Sequence, residues 1–107
     1  MRLLIAATFL SFLMGCSSVD YQLTAFRANN TQGVNQTYTF SAFADAVYPL
    51  DSEIAEKQRM EWLEKWLSQN NLSTKNYKIL KRETYLKSKG LLGTIYDIYY
   101  TVEVSKN

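Results

Sequence analysis

Apolar and polar positions along this chain fall into four patterns, each predicting a different element. The first is an uncharged run from Leu3 to Met14, directly after Met1-Arg2. At about twelve residues it is too short to cross a bilayer, which takes roughly twenty. It shows no amphipathic period and has the shape of the apolar core of a secretory signal peptide. The second pattern alternates: Tyr38, Phe40 and Ala42 share one face of a strand, and Thr39, Ser41 and Phe43 the other. The third is helical, from Glu53 to about Asn70, and rich in helix-forming residues. At about 100° per residue, Ala55, Met60, Trp62, Leu63, Trp66 and Leu67 fall on one broad arc. Lys57, Glu61, Glu64, Lys65 and Ser68 fall opposite, with Glu61 and Lys65 spaced as an ion pair. Asp51 is placed to cap this helix, Glu53 and Glu56 suit its positive end, and Asn70-Asn71 supplies a stop.

The fourth pattern is a pair of strands. Tyr77 to Leu86 alternates imperfectly, which suggests a bulge. Lys87 to Gly93 reads as a turn. Thr94 to Val104 then alternates well, with Tyr96, Ile98, Tyr100, Val102 and Val104 as the core face. The short connection makes the pair an antiparallel hairpin. Earlier in the chain, Tyr21 to Phe26 has strand character, Asn29 to Gln36 is polar and loop-like, and Asp45 to Leu50 is a connection. Residues 21–36 fit either the fold or a tether. One amphipathic helix on a small antiparallel sheet of three to four strands, ending in a β-hairpin, buries both apolar faces, so the expected class is α+β.

Composition narrows the function. The chain has 107 residues, 12 basic and 10 acidic side chains, one cysteine and no histidine. Hydrophobic residues at 47% and aromatics at 14% do not describe a disordered chain. Nucleic-acid binders are usually far more basic. A lone cysteine forms no internal disulfide and cannot build a zinc site of the usual Cys/His kind. Without histidine, no side chain ordinarily titrates near neutrality.

That cysteine stands at a telling place. Leu13-Met14-Gly15-Cys16, at the end of the apolar run, resembles the lipobox of bacterial lipoprotein precursors. The resemblance implies removal of residues 1–15 by signal peptidase II and acylation of Cys16, giving a covalent lipid anchor and no other cofactor. Two or more acyl chains hold a protein stably on a membrane. Ser17, rather than Asp, after the cysteine fits the enterobacterial rule for sorting to the outer membrane, facing the periplasm, with the inner membrane as the alternative. The expected organisation is a signal peptide (1–15), the lipidated cysteine and a short tether (16–20), and a small periplasmic domain (21–107), about 90 residues in all after cleavage. Phe40 to Asp45, Arg59 to Leu63 and Tyr96 to Tyr100 also look like parts of small proteobacterial lipoproteins of unknown function. Such relatives often carry further cysteines after the helix and near the C-terminus, where this chain has Ser73 and Val104.

Arg59 is the outstanding polar residue, because it falls within the apolar arc of the helix. A charge removed from water needs a partner, and Glu83, Asp97 or Glu103 on the sheet are candidates. Arg59 is thus either an anion-binding group beside Trp62 and Trp66 or a structural arginine. The two tryptophans are either a sugar-stacking pair or core. From Lys75 to Lys89, six basic side chains, Lys78 and Arg82 among them, stand against Glu83 alone, whereas Asp45 to Glu64 is predominantly acidic. A basic strand suits anionic lipid, lipopolysaccharide or an acidic protein; lysines also protect an exposed strand edge. Leu91-Leu92 at the turn is either an exposed apolar tip or folded back on the core. Catalysis lacks a histidine base and, once Cys16 is acylated, a thiol nucleophile. A carboxylate pair of Asp97 with Glu83 or Glu103 is the remaining hydrolase-like arrangement, and no Asp-rich calcium loop is present. The expectation is a non-enzymatic lipoprotein whose domain binds a cell-envelope protein through Lys78, Arg82, Leu91, Leu92 and Arg59. The alternative is a binder of envelope glycan or lipopolysaccharide, and a small envelope hydrolase comes third. Nucleic acid is not an expected partner, and the sequence leaves the oligomeric state open.

Overall fold

A computed structural model describes residues 20–91 and 93–105. The expected signal peptide, the lipobox with Cys16, and Leu92 lie outside the described residues. Four strands form one antiparallel sheet: β1 (Ala25–Asn30), β2 (Asn35–Ala44), β3 (Tyr77–Gly90) and β4 (Gly93–Ser105), in the order β1-β2-β4-β3. The helix α1 (Glu53–Gln69) joins β2 to β3 and packs on one face of this sheet. The α+β architecture is the one the apolar pattern predicts.

The core lies where α1 crosses the two central strands. Alternation in β2 and β4 sets it: Tyr38, Phe40, Ala42 and Ala44 face Val102, Tyr100, Ile98 and Tyr96 across the ladder, and nearly all of them are buried. From the helix, Trp62, Leu63 and Leu67 close over them. Each fully buried aliphatic or aromatic side chain contributes about 1.5–3 kcal/mol. Glu61, Lys65 and Ser68 face solvent as expected, and Lys65 holds its ammonium 4.3 Å from the centre of the Tyr21 ring.

Several boundaries differ from the expectation, each for a local reason. The helix is capped by Ser52, not Asp51: Ser52 has extended backbone and its Oγ accepts from the amide of Ala55 at 3.1 Å. The helix stops as the asparagine pair implies. Asn71 takes the left-handed conformation (φ 59°), and the amides of Asn71 and Leu72 donate to the carbonyls of Ser68 and Leu67. The hairpin is longer than predicted, since β3 continues to Gly90 and β4 begins at Gly93, with which Gly90 is paired. Two register shifts, between Ile79 and Lys81 and between Leu86 and Ser88, account for the imperfect alternation of β3. Strand character at Tyr21 to Phe26 is displaced: residues 20–22 are helical, and β1 begins only at Ala25. Of the polar stretch after it, residues 29–30 and 35–36 are strand, and residues 31–34 form the expected loop, with Gly33 at φ 88°.

Residues 21–36 therefore belong to the fold. Tyr21 and Thr24 are buried, Phe26 stacks between Tyr38 and Trp66, and the Trp66 indole donates to Thr24 Oγ1 at 2.8 Å. Two aromatic anchors and a polar handle fix this segment against the second half of α1.

Candidate functional site

The buried arginine organises one end of the domain. Arg59 is 0% exposed. Its Nε donates to Phe43 O at 3.0 Å, Nη1 to Glu56 Oε1 at 2.9 Å, and Nη2 to Tyr48 O at 2.7 Å and Pro49 O at 2.8 Å. The partner is thus Glu56, one turn back on the same helix, rather than Glu83, Asp97 or Glu103 on the sheet. One carbonyl, that of Phe43, comes from the end of β2, and the other two come from the β2–α1 connection, which curls over the guanidinium. Asp45 starts that curl, its Oδ1 accepting from the amides of Val47 and Tyr48. Arg59 turns no donor toward solvent; its position makes it the clamp that shapes the loop.

Glu56 links this clamp to the hairpin. Its Oε1 also accepts from Arg82 Nη2 at 3.1 Å, and its Oε2 accepts from the Tyr100 hydroxyl at 2.8 Å. Arg82 further donates to Leu50 O at 3.2 Å and lies over the Tyr100 ring. Burial alone would raise the Glu56 carboxyl, but the bonds from Tyr100, Arg82 and Arg59 and the charge of Arg82 outweigh it and hold the pKa below the usual glutamate value. Burial, then the bond to Glu56, pushes Tyr100 up to about 12. Among the described residues no buried side-chain polar atom lacks a partner. The arrangement is a closed cross-brace of loop, helix and hairpin.

The two tryptophans are structural as well. Trp62 is buried, stacks on Phe43 and meets the edge of Tyr48. Trp66 carries the N-terminal segment. Neither presents a free face for a sugar.

The surface that remains available is the hairpin. β3 is an outer strand, exposed along nearly all of its length. On the sheet face away from α1, Lys78 pairs with Glu103, Lys81 with Glu83, and Tyr85 packs edge-on against Tyr99. These lysines are well exposed and their ion pairs are loose, at 3.8 and 3.4 Å. No described element covers this face. Among the expected site residues, the structure leaves Lys78 well exposed, in a loose pair with Glu103. It ties Arg82, 34% exposed, into the brace. It places Leu91 fully in solvent at the tip of the hairpin rather than folded on the core.

Other features escaped the sequence pattern. Glu56 was legible as an i,i+3 neighbour of Arg59, but the three carbonyls were not. Val47, Ile54 and Leu23 are strongly exposed, and no periodicity singles them out. Of the carboxylates considered with Asp97, Glu83 engages Lys81 and Tyr85, and Glu103 engages Lys78. Among the described residues there is no group of three metal-ligating side chains, and no helix is long and apolar enough to cross a membrane. Comparison with protein-family models, with curated proteins and with solved structures finds no match.

Proposed function

We propose that the chain is a non-enzymatic lipoprotein, anchored through acylated Cys16 at the periplasmic face of the outer membrane, whose domain binds an acidic protein of the cell envelope. The observation that supports the binding role is the uncovered outer face of the hairpin. It offers Lys78, Lys81, Tyr85 and Tyr99 side by side on two long paired strands. Tyrosines supply contact area at low entropic cost, and lysines steer an acidic partner. A lipid anchor confines such a surface near its targets and raises their effective concentration.

The reading as a glycan or lipopolysaccharide binder loses Trp62, Trp66 and Arg82 to structural contacts, so it rests on the same lysines and tyrosines alone. A photo-crosslinking residue at Tyr85, activated in intact cells expressing the full chain, separates the two. Discrete protein adducts that diminish with Lys78→Glu/Lys81→Glu are expected. Adducts with glycan or lipopolysaccharide alone would overturn the protein-binding role in favour of the alternative.

A further inference from the structure

We infer that the end of the domain where the chain enters from Cys16 docks on the bilayer: Leu23, Val47, Leu91 and Ile95, with Lys87 and Lys89, seat in the phospholipid headgroup layer. This inference rests on the reading of Cys16 as the lipid-bearing residue.

The point of chain entry comes first. Asp20 Oδ2 accepts from the Tyr48 hydroxyl at 2.7 Å, which pins the start of the described chain beside the β2–α1 loop. Cys16 precedes Asp20 by four residues. An extended chain spans at most about 3.3–3.6 Å per residue, so the acylated residue lies within about 14 Å of Asp20. A tether this short holds that corner of the domain against the bilayer surface, whatever path it takes.

The side chains at that corner are apolar and out in water. Leu23, 66% exposed, lines a depression of 260 Å³ with Ile95 and Lys87. Ile95 lines the next depression, of 230 Å³, with Val47, which is 74% exposed. Leu91 stands fully exposed at the turn, two residues before Gly93, which lines that same depression. Single exposed apolar residues need no explanation, but neighbours around one rim mark a contact surface. Lys87 and Lys89 lie just before the tip on β3, where anionic headgroups would attract them. Asp45 and Asp97 also line the depression that holds Leu23, where Asp45 turns an oxygen inward to its own loop and Lys87 supplies the opposite charge. On the helix side the surface continues from Val47 to exposed Ile54, which share a further depression with Lys57 and Glu61.

Seated in this way, the domain has a fixed orientation. The tip of the hairpin points into the headgroups, and the lysine–tyrosine face of β3 and β4 stands alongside the membrane, open to a partner.

The test uses the full lipidated protein in vesicles of phosphatidylethanolamine and phosphatidylglycerol that carry quencher-labelled lipid. An environment-sensitive fluorophore is attached at Leu91→Cys or, as the control, at Val34→Cys in the β1–β2 turn; the acylated Cys16 has no thiol to compete. The expected result is a blue shift and strong quenching at position 91, neither at position 34, and weaker quenching at 91 with Lys87→Glu/Lys89→Glu. Equal, water-like emission at both positions in protein that floats with the vesicles overturns the docking and leaves the anchor standing. Protein that neither floats nor carries acyl mass overturns the anchor and the docking together. Protection of position 91 only in cells, by a crosslinked protein, assigns the surface to that protein and overturns the bilayer as its occupant.

Discussion

Replacing Arg59 with methionine is the sharpest test of the cross-brace. Methionine keeps much of the length and packing of the arginine stem but none of its donors. The change leaves the carbonyls of Phe43, Tyr48 and Pro49 without their donor and Glu56 without its most deeply buried partner. Breaking a buried charged pair from one side costs about 3–5 kcal/mol, and each carbonyl that water cannot reach adds about 1–3 kcal/mol before the loop relaxes. Because the loop lies at the surface and can rehydrate, the lower range, about 3–5 kcal/mol, is the expected loss. A domain of this kind has only about 5–15 kcal/mol in total. With a urea dependence of about 1–3 kcal/mol per molar, the unfolding midpoint should fall by roughly 1–5 M. Tryptophan fluorescence reports the transition, since Trp62 sits beside the loop and Trp66 beneath the N-terminal segment. The comparison is Arg82→Met. That guanidinium is one-third exposed and also bonds Glu56, so its loss should cost about 1 kcal/mol or less. Equal effects of the two substitutions, or a midpoint unmoved by Arg59→Met, would refute the assignment of Arg59 as the clamp.

Other consequences follow from the same contacts. Glu56 ionises more readily in the folded chain than its usual value of 4.5, so its contribution is complete above that value and disappears as pH falls through the lower folded pKa. Urea midpoints measured from about pH 5 to pH 3 should therefore drop less steeply for Glu56→Gln than for the parent; parallel profiles would contradict this. Tyr48, held by Asp20, and Tyr77 and Tyr100, raised by burial and by Glu64 and Glu56, sit at about 12. Because their folded pKa exceeds the unfolded value of 10, their stabilisation is full below 10 and is lost as pH climbs toward 12. A phenolate absorbance titration should show these three ionising together with alkaline unfolding. Ser52→Ala should cost about 1 kcal/mol through loss of the helix cap, whereas Asp51→Ala should leave the midpoint within about 0.5 kcal/mol.

The layers of the fold were legible because β2, α1 and β4 each repeat with the period of their element. Tyr38, Phe40 and Ala42 against Ile98, Tyr100 and Val102 are read directly from alternation, and the helix arc names Trp62, Leu63 and Leu67. Legibility failed where contacts between distant residues override local pattern. Tyr21 and Phe26 look like one strand, yet Tyr21 is drawn into a helical turn by Trp66 and Gln69, while Phe26 pairs in β1. The polar run Asn29 to Gln36 reads as loop because β1 is an exposed edge strand with little core face to mark it. For the candidate site, the unusual place of Arg59 was visible, but its acceptors were not: backbone carbonyls are the same in every residue, and only the path of the loop brings Phe43, Tyr48 and Pro49 to one guanidinium. Exposure of Leu91 was one of two open readings, decided by a hairpin whose strands outrun the helix that covers their lower half.

Cys16 is central, because the anchor gives both the binding face and the tip of the hairpin their setting. Metabolic labelling of cells with an alkyne-bearing fatty acid, followed by recovery of the full chain, measures it directly. The expected result is a labelled protein whose label is lost in Cys16→Ser. Persistent label in that variant, or an unlabelled parent chain, would contradict it.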